Sequence, residues 1–391
     1  MADLAMSGPR ILFYVQHLLG IGHVARASRV AGALAEDGFA VTVVTGGTAV
    51  PGFPGPGVES VTLPTVAAAD QGFSELTDAS GKPIDDAYKS RRRDMLLATL
   101  AKVRPDIVVI EAYPFGRRQM RFELLPLLDA IAAMTPKPAL VASVRDILQE
   151  RVKAGRNEET VEIVNRHFDL VMVHGDPAFA TLGDSFPLSA SITAEIAYTG
   201  LVAAPRPTPS REQYEVLVSV GGGAAGKLLV ESAVAAAARL STAKRWCLIT
   251  GPNLPQADFD TAIAKAPRGL DIVRFRRDFP ALLATADLSV SQAGYNTVCD
   301  ILQAGCRSIL VPFAAGGETE QTVRAERLQR LGLAVALPET ELSPSSLNAA
   351  IEKQLATSMP GSHRLDLDGA RQSAVLLRAL LQKRSKPHRS A

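Results

Sequence analysis

An apolar run, a glycine-bearing loop and an Ala-rich helical stretch follow one another twice in this chain, and that repetition constrains the fold more than any other feature. Ile11-Leu12-Phe13-Tyr14-Val15 has the unbroken apolar character of a strand buried on both faces. The loop Leu19-Gly20-Ile21-Gly22-His23 follows it, and a helix is expected from Val24 to Asp37. Further strands are expected at residues 40–45, 107–110, 139–143, 170–173 and 196–199. The rhythm breaks between Leu201 and Tyr214, where Pro205, Pro207 and Pro209 mark an exposed linker. It restarts with Val216 to Val220, then Gly221-Gly222-Gly223 and a helix reaching Leu240, with strands expected at 247–250, 272–275, 288–290, 308–311 and 334–337. Alternation of this kind predicts α/β architecture, a parallel sheet with helices on both sides.

At 391 residues the chain exceeds what one core organises, so two doubly wound domains are expected. The boundaries fall at 1–204, a linker at 205–214, a second domain at 215–364, and a helix with a basic tail at 365–391. Two such domains leave a cleft in which strand carboxyl ends present ligand-binding loops. A net charge of +2 gives no basic face for nucleic acid. Cys247, Cys299 and Cys306 are too few and too irregular for a disulfide framework or a zinc site, and fit a reducing cytoplasm. No secretory start and no apolar run of membrane-spanning length is visible, so any membrane contact is expected from the cytoplasmic face.

Gly221 to Lys227 satisfies the first part of a phosphate-loop motif, G-x-x-x-x-G-K, but Leu228 stands where a magnesium-binding Ser or Thr belongs. A nucleotide triphosphatase is therefore rejected, while glycines between a strand and a helix still let backbone N–H groups approach an anion. In the first half, Gly20 and Gly22 permit close approach to a ligand. His23 falls at a helix start, where its imidazole can accept a proton at neutral pH. His17 is the weaker candidate on the same loop. Glu111, at the end of an apolar strand, is a second candidate base, and Arg145-Asp146 follows another strand toward the acceptor side.

The richest stretch runs from Asp278 to Ala334. It contains Phe279, a strand ending in Ser291-Gln292-Ala293-Gly294, and a helix opening at Asn296-Thr297 that carries Asp300. Val311-Pro312-Phe313 then leads to Glu320-Gln321 at the start of another helix. Two glycine-containing loops, each opening a helix, make adjacent anion-binding positions. Asp300 is placed where a carboxylate could accept hydrogen bonds from a ribose diol.

These residues resemble the C-terminal domain of family 28 glycosyltransferases, above all the lipid II-forming N-acetylglucosaminyltransferases. Those enzymes have a Ser-x-x-Gly loop, a Thr-x-x-Glu helix start, an Ala-Gly end, a Val-Pro-Phe strand end and a Gln-Gln pair. The counterparts here are Ser291 to Gly294, Thr297 to Asp300, Ala304-Gly305, Val311 to Phe313, and Glu320-Gln321. The similarity covers residues 216–336, and the whole chain is similar to a bacterial group of predicted glycosyltransferases. The resemblance implies a GT-B fold and transfer of a hexose-type sugar, with inversion, from a nucleotide diphosphate expected to be UDP. It also implies that Asp300 holds the ribose, that Glu320 and Gln321 contact the donor sugar, and that Gly221, Gly222 and Gly223 face the diphosphate. By the same resemblance, Leu19 to His23 line the acceptor side and residues 275–279 lie near the base. Asp300 is shorter than the family's Glu, and Glu320 replaces its first Gln, an acidic substitution expected to disfavour an anionic donor sugar.

No cofactor and no metal is expected, because loop N–H groups and helix dipoles can absorb the leaving diphosphate's charge. The Asp-x-Asp at Asp366-Leu367-Asp368 falls in the expected tail helix and reads as a solvated face. Basic clusters at Lys89 to Arg93 and at Arg117, Arg118 and Arg121 stand beside apolar residues and could rest on an anionic membrane, although a solvated helix face is the commoner cause. A nucleotide-sugar hydrolase or epimerase on the same fold is the alternative activity, and a non-enzymatic nucleotide-sugar sensor is a third reading.

Overall fold

A computed structural model of the chain describes residues 8–18, 22–68, 75–149, 153–221, 226–240, 245–314 and 317–385. The chain divides into two compact units: the first runs to Val202 and resumes at Asp366, and the second is Ala203–Leu365.

The first unit contains β1 (Arg10–Val15), α1 (Gly22–Glu36), β2 (Ala40–Thr45), β3 (Glu59–Thr62), β4 (Ala67–Ala68), β5 (Leu76–Thr77) and α2 (Asp86–Val103). There follow β6 (Ile107–Glu111), α3 (Arg121–Ala133), β7 (Ala139–Arg145), α4 (Arg156–His167), β8 (Leu170–His174) and β9 (Glu195–Tyr198). Among the described residues the main sheet has the order β3-β2-β1-β6-β7-β8-β9, and each neighbouring pair is parallel. Ile11 to Val15 and Ile107 to Ile110 are fully buried, the consequence of helices covering both faces of a parallel sheet. Each such side chain contributes about 1.5–3 kcal/mol relative to exposure. Sequence reading missed β3, because Glu59-Ser60-Val61-Thr62 lies half in solvent at the sheet edge and has no apolar run.

The second unit contains β10 (Val216–Ser219), α5 (Lys227–Arg239), β11 (Trp246–Ile249), α6 (Gln256–Lys265), β12 (Leu270–Val273) and α7 (Phe279–Leu283). It continues with β13 (Leu288–Ser291), α8 (Tyr295–Ala304), β14 (Ser308–Leu310), α9 (Glu320–Arg330), β15 (Val335–Ala336) and α10 (Pro344–Leu355). Among the described residues its sheet has the order β12-β11-β10-β13-β14-β15, again parallel throughout. The expected strand at 272–275 instead ends at Val273, because Arg274 turns away to donate to Leu254 O at 2.8 Å and Gln256 Oε1 at 2.7 Å.

The final helix, α11 (Gly369–Ser385), is not a separate appendage: it packs on α1 within the first unit. Arg378 pairs with Asp37 and lies over the Phe39 ring at 4.6 Å, while Lys383 and Arg384 pair with Glu195 and Asp169. Asp366 and Asp368 precede this helix rather than lying in it. The Asp366 carboxylate accepts from Asp368 N at 2.8 Å, and Asp368 accepts from Arg371 at 2.6 Å, so the acidic pair organises the helix entry. The proline-rich stretch is exposed along much of its length but ends pinned to the second unit: Ser210 N donates to Ala281 O, and Arg276 pairs with Glu212.

In each sheet the chain builds outward from its first strand, then returns to start on the other side. The reversal falls between β1 and β6 in the first unit and between β10 and β13 in the second. Loops leaving adjacent strands in opposite directions open a crevice at such points, where open α/β sheets bind ligands.

Candidate active site

At the first reversal point β6 delivers Glu111, fully buried at its carboxyl end, and α1 delivers His23 and Arg26 one turn apart. Arg26 is also buried and forms an ion pair with Glu111 Oε1. His23 Nδ1 lies 3.1 Å from the same oxygen, and Ser143 Oγ in β7 donates to Oε2 at 2.5 Å. Burial alone would raise the Glu111 pKa, but the Arg26 charge and the His23 hydrogen bond outweigh it and hold the carboxyl well below its ordinary range. The group is therefore a carboxylate that accepts hydrogen bonds from three side chains. Arg26 Nη2 also approaches His23 Nδ1 at 3.2 Å. Nδ1 cannot donate to Glu111 and accept from Arg26 at once, and an ionised carboxylate selects the Nδ1–H tautomer. Nε2 is left with the lone pair.

Burial pushes the His23 pKa down to about 3, with Arg117 adding to the effect and the hydrogen bond to Glu111 opposing it. The imidazole is thus neutral at physiological pH, in its base form. Its side chain remains 20% exposed, so it is the member of the cluster that meets solvent. Arg117 adopts a left-handed φ of 59° and donates from Nε to Gln16 O at 2.8 Å; burial pushes its pKa down to about 10. Ala112, directly after Glu111, also has a left-handed φ of 65°. Two non-glycine residues in this region within one short loop store backbone strain of a kind found at functional sites. Arg145 ends β7 and acts electrostatically on Arg117. Gly22 opens α1, whereas Gly20 lies outside the described residues. His17 is buried with its ring packed against Gly47, where any Cβ would collide with it.

The structure adds residues that motif reading did not single out. Ser143 Oγ lies 2.9 Å from His174 Nε2 at the end of β8, and His174 Nδ1 lies 3.0 Å from Thr199 Oγ1 just beyond β9. Their signal in the sequence is positional: Glu111, Ser143, His174 and Thr199 are each a polar residue at or near the end of an apolar strand. Burial, with Arg26 adding, pushes the His174 pKa down to about 3.

The second reversal point is built differently. Gly221, with a left-handed φ of 77°, leaves β10, while Gly222 and Gly223 lie outside the described residues. Gly226 caps α5, and a Cβ there would collide with Val220 Cγ1 at 1.8 Å, which is why the loop closes with glycine. Ser291 ends β13 fully buried, Gly294 caps α8, and Asn296 and Thr297 occupy its first turn. The direction a Cβ would take from Gly294 is open, so the main chain there is unobstructed. Phe279 opens α7, half-buried, and Phe275 is 61% exposed.

Two acidic residues singled out in the sequence of this unit are buried. Asp300 lies on the buried side of α8. Glu320, expected to present a charge to the donor sugar, is only 2% exposed, and its Oε1 accepts from Arg324 Nη2 at 2.7 Å. Arg324, itself fully buried, also donates to Ala293 O at 2.9 Å and so ties α9 to the loop after β13. With its charge answered internally, Glu320 gives no ground for excluding an anionic sugar. Gln321 Oε1 accepts from Phe313 N at 3.2 Å, fixing the loop after β14.

The basic clusters are also more internal than expected. Arg92 is fully buried and forms a two-pronged pair with Glu123, while Arg118 and Arg121 both pair with Glu159. Among the described residues no helix is long and apolar enough to cross a membrane, and no group of three or more His, Cys, Asp or Glu is placed to hold a metal ion. The three cysteines are free and buried.

Two parallel sheets, each reversing direction beside its first strand, make this a GT-B fold. The calicheamicin glycosyltransferase CalG4 matches it at a TM-score of 0.60 and 19% identity, over 97% of this chain and 100% of the other. MurG from Acinetobacter baumannii matches at 0.56 and 16% identity, over 96% and 99%. The more particular likeness comes from sequence: residues 217–364, most of the second unit, match the model of the glycosyltransferase family 28 C-terminal domain. The UDP-N-acetylglucosamine--N-acetylmuramyl-(pentapeptide) pyrophosphoryl-undecaprenol N-acetylglucosamine transferase of Synechococcus elongatus is 29% identical over 187 residues, 44% of this chain and 51% of its own length. The same-named enzyme of Nitrosococcus oceani is 43% identical over 82 residues, 21% of this chain and 23% of its own. The aligned stretches therefore span about half or less of these relatives.

Proposed function

We propose that the protein is a glycosyltransferase that moves a hexose-type sugar from a nucleotide-diphosphate donor, with UDP as the carrier, to an acceptor hydroxyl. The observation that carries the reading is the carboxylate-oriented imidazole of His23 at the first reversal point, in a chain whose second unit matches family 28. His23 Nε2 takes the acceptor proton as the acceptor oxygen attacks the anomeric carbon. The bond from that carbon to the diphosphate breaks, and the nucleoside diphosphate leaves with the electron pair. One displacement inverts the centre. The loops around Gly221 and Gly294 and the start of α8 supply N–H groups and a positive helix end for the departing charge, so the reaction needs no metal. Asp300 holds the ribose, and Gln321 and the chain around Glu320 lie toward the sugar. Gly22 and Arg145 belong to the acceptor side. The acceptor chemistry of the Synechococcus relative, whose name specifies a pyrophosphoryl-undecaprenol, makes a lipid-linked acceptor and peripheral work at the cytoplasmic membrane face the first to try.

Calorimetric titration with UDP, dTDP and GDP tests the donor half. UDP should bind selectively, and Asp300→Ala should weaken it by about 1–3 kcal/mol, the worth of hydrogen bonds to a charged group. No binding of any of the three would remove the donor site. Steady release of free sugar at the same rate with and without acceptor would instead make the protein a hydrolase, with His23 activating water.

A further inference from the structure

Glu111 is gripped on its Oε1 side by Arg26 and His23, and a chain of buried polar groups meets it on the Oε2 side. Residues Glu111 and Ser143 are register partners in adjacent strands, His174 ends the next strand, and Thr199 follows the one after. The chain therefore crosses four neighbouring strands, and all four residues are at most 1% exposed.

Proton counting gives this chain a direction. Ser143 has one hydroxyl proton and two neighbours, Glu111 Oε2 at 2.5 Å and His174 Nε2 at 2.9 Å. A hydrogen bond to an ionised acceptor is stronger than one between neutral groups, so the proton goes to Glu111. Giving it to His174 would leave two bare oxygens facing each other. His174 must then donate from Nε2 to Ser143 Oγ. Because His174 is neutral, its Nδ1 is bare and accepts from Thr199 Oγ1, 3.0 Å away, in preference to that hydroxyl's contact with Gly200 O at 2.8 Å. Every link from Thr199 to Glu111 thus points the same way, an arrangement in which each bond polarises the next.

We propose that Ser143 and His174, backed by Thr199, are positioning residues: they fix the Glu111 carboxylate through Oε2, and the carboxylate in turn fixes the tautomer and ring orientation of His23. This rests on the reading of His23 as the base. None of the three touches substrate. Loss of a link lets the carboxylate rotate, and His23 then samples the tautomer with Nε2 protonated, which cannot accept a proton from the acceptor.

The test joins turnover to a direct view of His23 by ¹⁵N NMR of histidine-labelled protein. In Ser143→Ala, kcat should fall about tenfold or more while the donor KM stays within about twofold, as for loss of a group that orients a reacting residue. The His23 nitrogens, held in the Nδ1–H form in the parent, should shift toward a tautomer mixture. His174→Gln keeps an N–H donor near the Nε2 position and should retain several-fold more kcat than His174→Leu. Unchanged kcat and unchanged His23 signals in Ser143→Ala would overturn the proposal, and so would equal loss in the two His174 variants. If the parent turns over no nucleotide sugar yet Ser143→Ala still shifts the His23 tautomer, the positioning chain stands and the transferase reading falls.

Discussion

The two reversal points share a topology and differ in what lines them. In the first unit the crevice is lined by side chains: a carboxylate, an arginine and two neutral histidines, nearly all buried and mutually bonded. In the second, Gly221 leaves one strand and Gly294, open on its Cβ side, caps a helix, while Asp300 and Glu320 are buried and Glu320 pairs with Arg324. A proton acceptor must be aimed, and aiming takes partners. An anion can be held by N–H groups that need only be uncovered. On the proposed reading, the first unit moves a proton and the second holds charge.

That division can be broken most directly at His23. His23→Ala should lower kcat by about 10²–10⁴-fold, the usual range for a lost general base, with UDP affinity within about twofold by calorimetry. Lost affinity with turnover per bound donor preserved would reverse the roles of the units. Next in size is Arg26→Met, which strands the Glu111 carboxylate in a buried site and should cost about 3–5 kcal/mol in urea unfolding. A loss under 1 kcal/mol would mean that Glu111 is not ionised.

Acidity sharpens the contrast further. His23 and His174 have folded-state pKa values near 3 against 6.5 for the free side chain, so the unfolded chain binds more protons below pH 6.5. Stability should therefore fall as the pH drops from 6.5, by up to about 1.4 kcal/mol per pH unit for each histidine. Glu111, depressed below its ordinary value, adds to the loss below about pH 4.5. Thermal melts at pH 7.5, 6 and 5 would measure the slope, and a flat response would show that neither histidine is held neutral. The smallest effect belongs to the second unit. Gly294→Ala projects its methyl into open space, so Tm should hold, while UDP binding should weaken by about 1 kcal/mol, as when one hydrogen bond is lost.

The same contrast decides what could be read from sequence. Central strands announced themselves because burial on both faces forces unbroken apolar runs, as at Ile11 to Val15. The edge strand β3 had no such need and was missed. The placement of Gly221, Ser291 and Gly294 at strand ends and a helix start was legible because tight strand-to-helix turns need small residues at short, fixed spacing. The first-unit site is assembled from residues as far apart as His23 and Thr199, so no local spacing reveals it. His23 and Glu111 were singled out separately, but their contact, and the part of His174, required the strand register. Glu320 and Arg92 show the opposite limit: a charged residue beside a helix start or in a basic cluster looked outward in sequence and is buried against a partner.

The return of α11 to α1 carries a consequence for the order of events during synthesis. Leu201 N donates to Asp366 O at 2.7 Å, so the first unit closes only when residues beyond 365 exist. The intervening unit, Ala203–Leu365, must be made first. At about 5–20 residues per second that leaves the nascent first unit roughly ten to thirty seconds without its last helix, the face of α1 uncovered. A ribosome-stalled chain ending near residue 205 should accordingly be more open to protease around α1 than the released protein, although every strand of its sheet has already been translated.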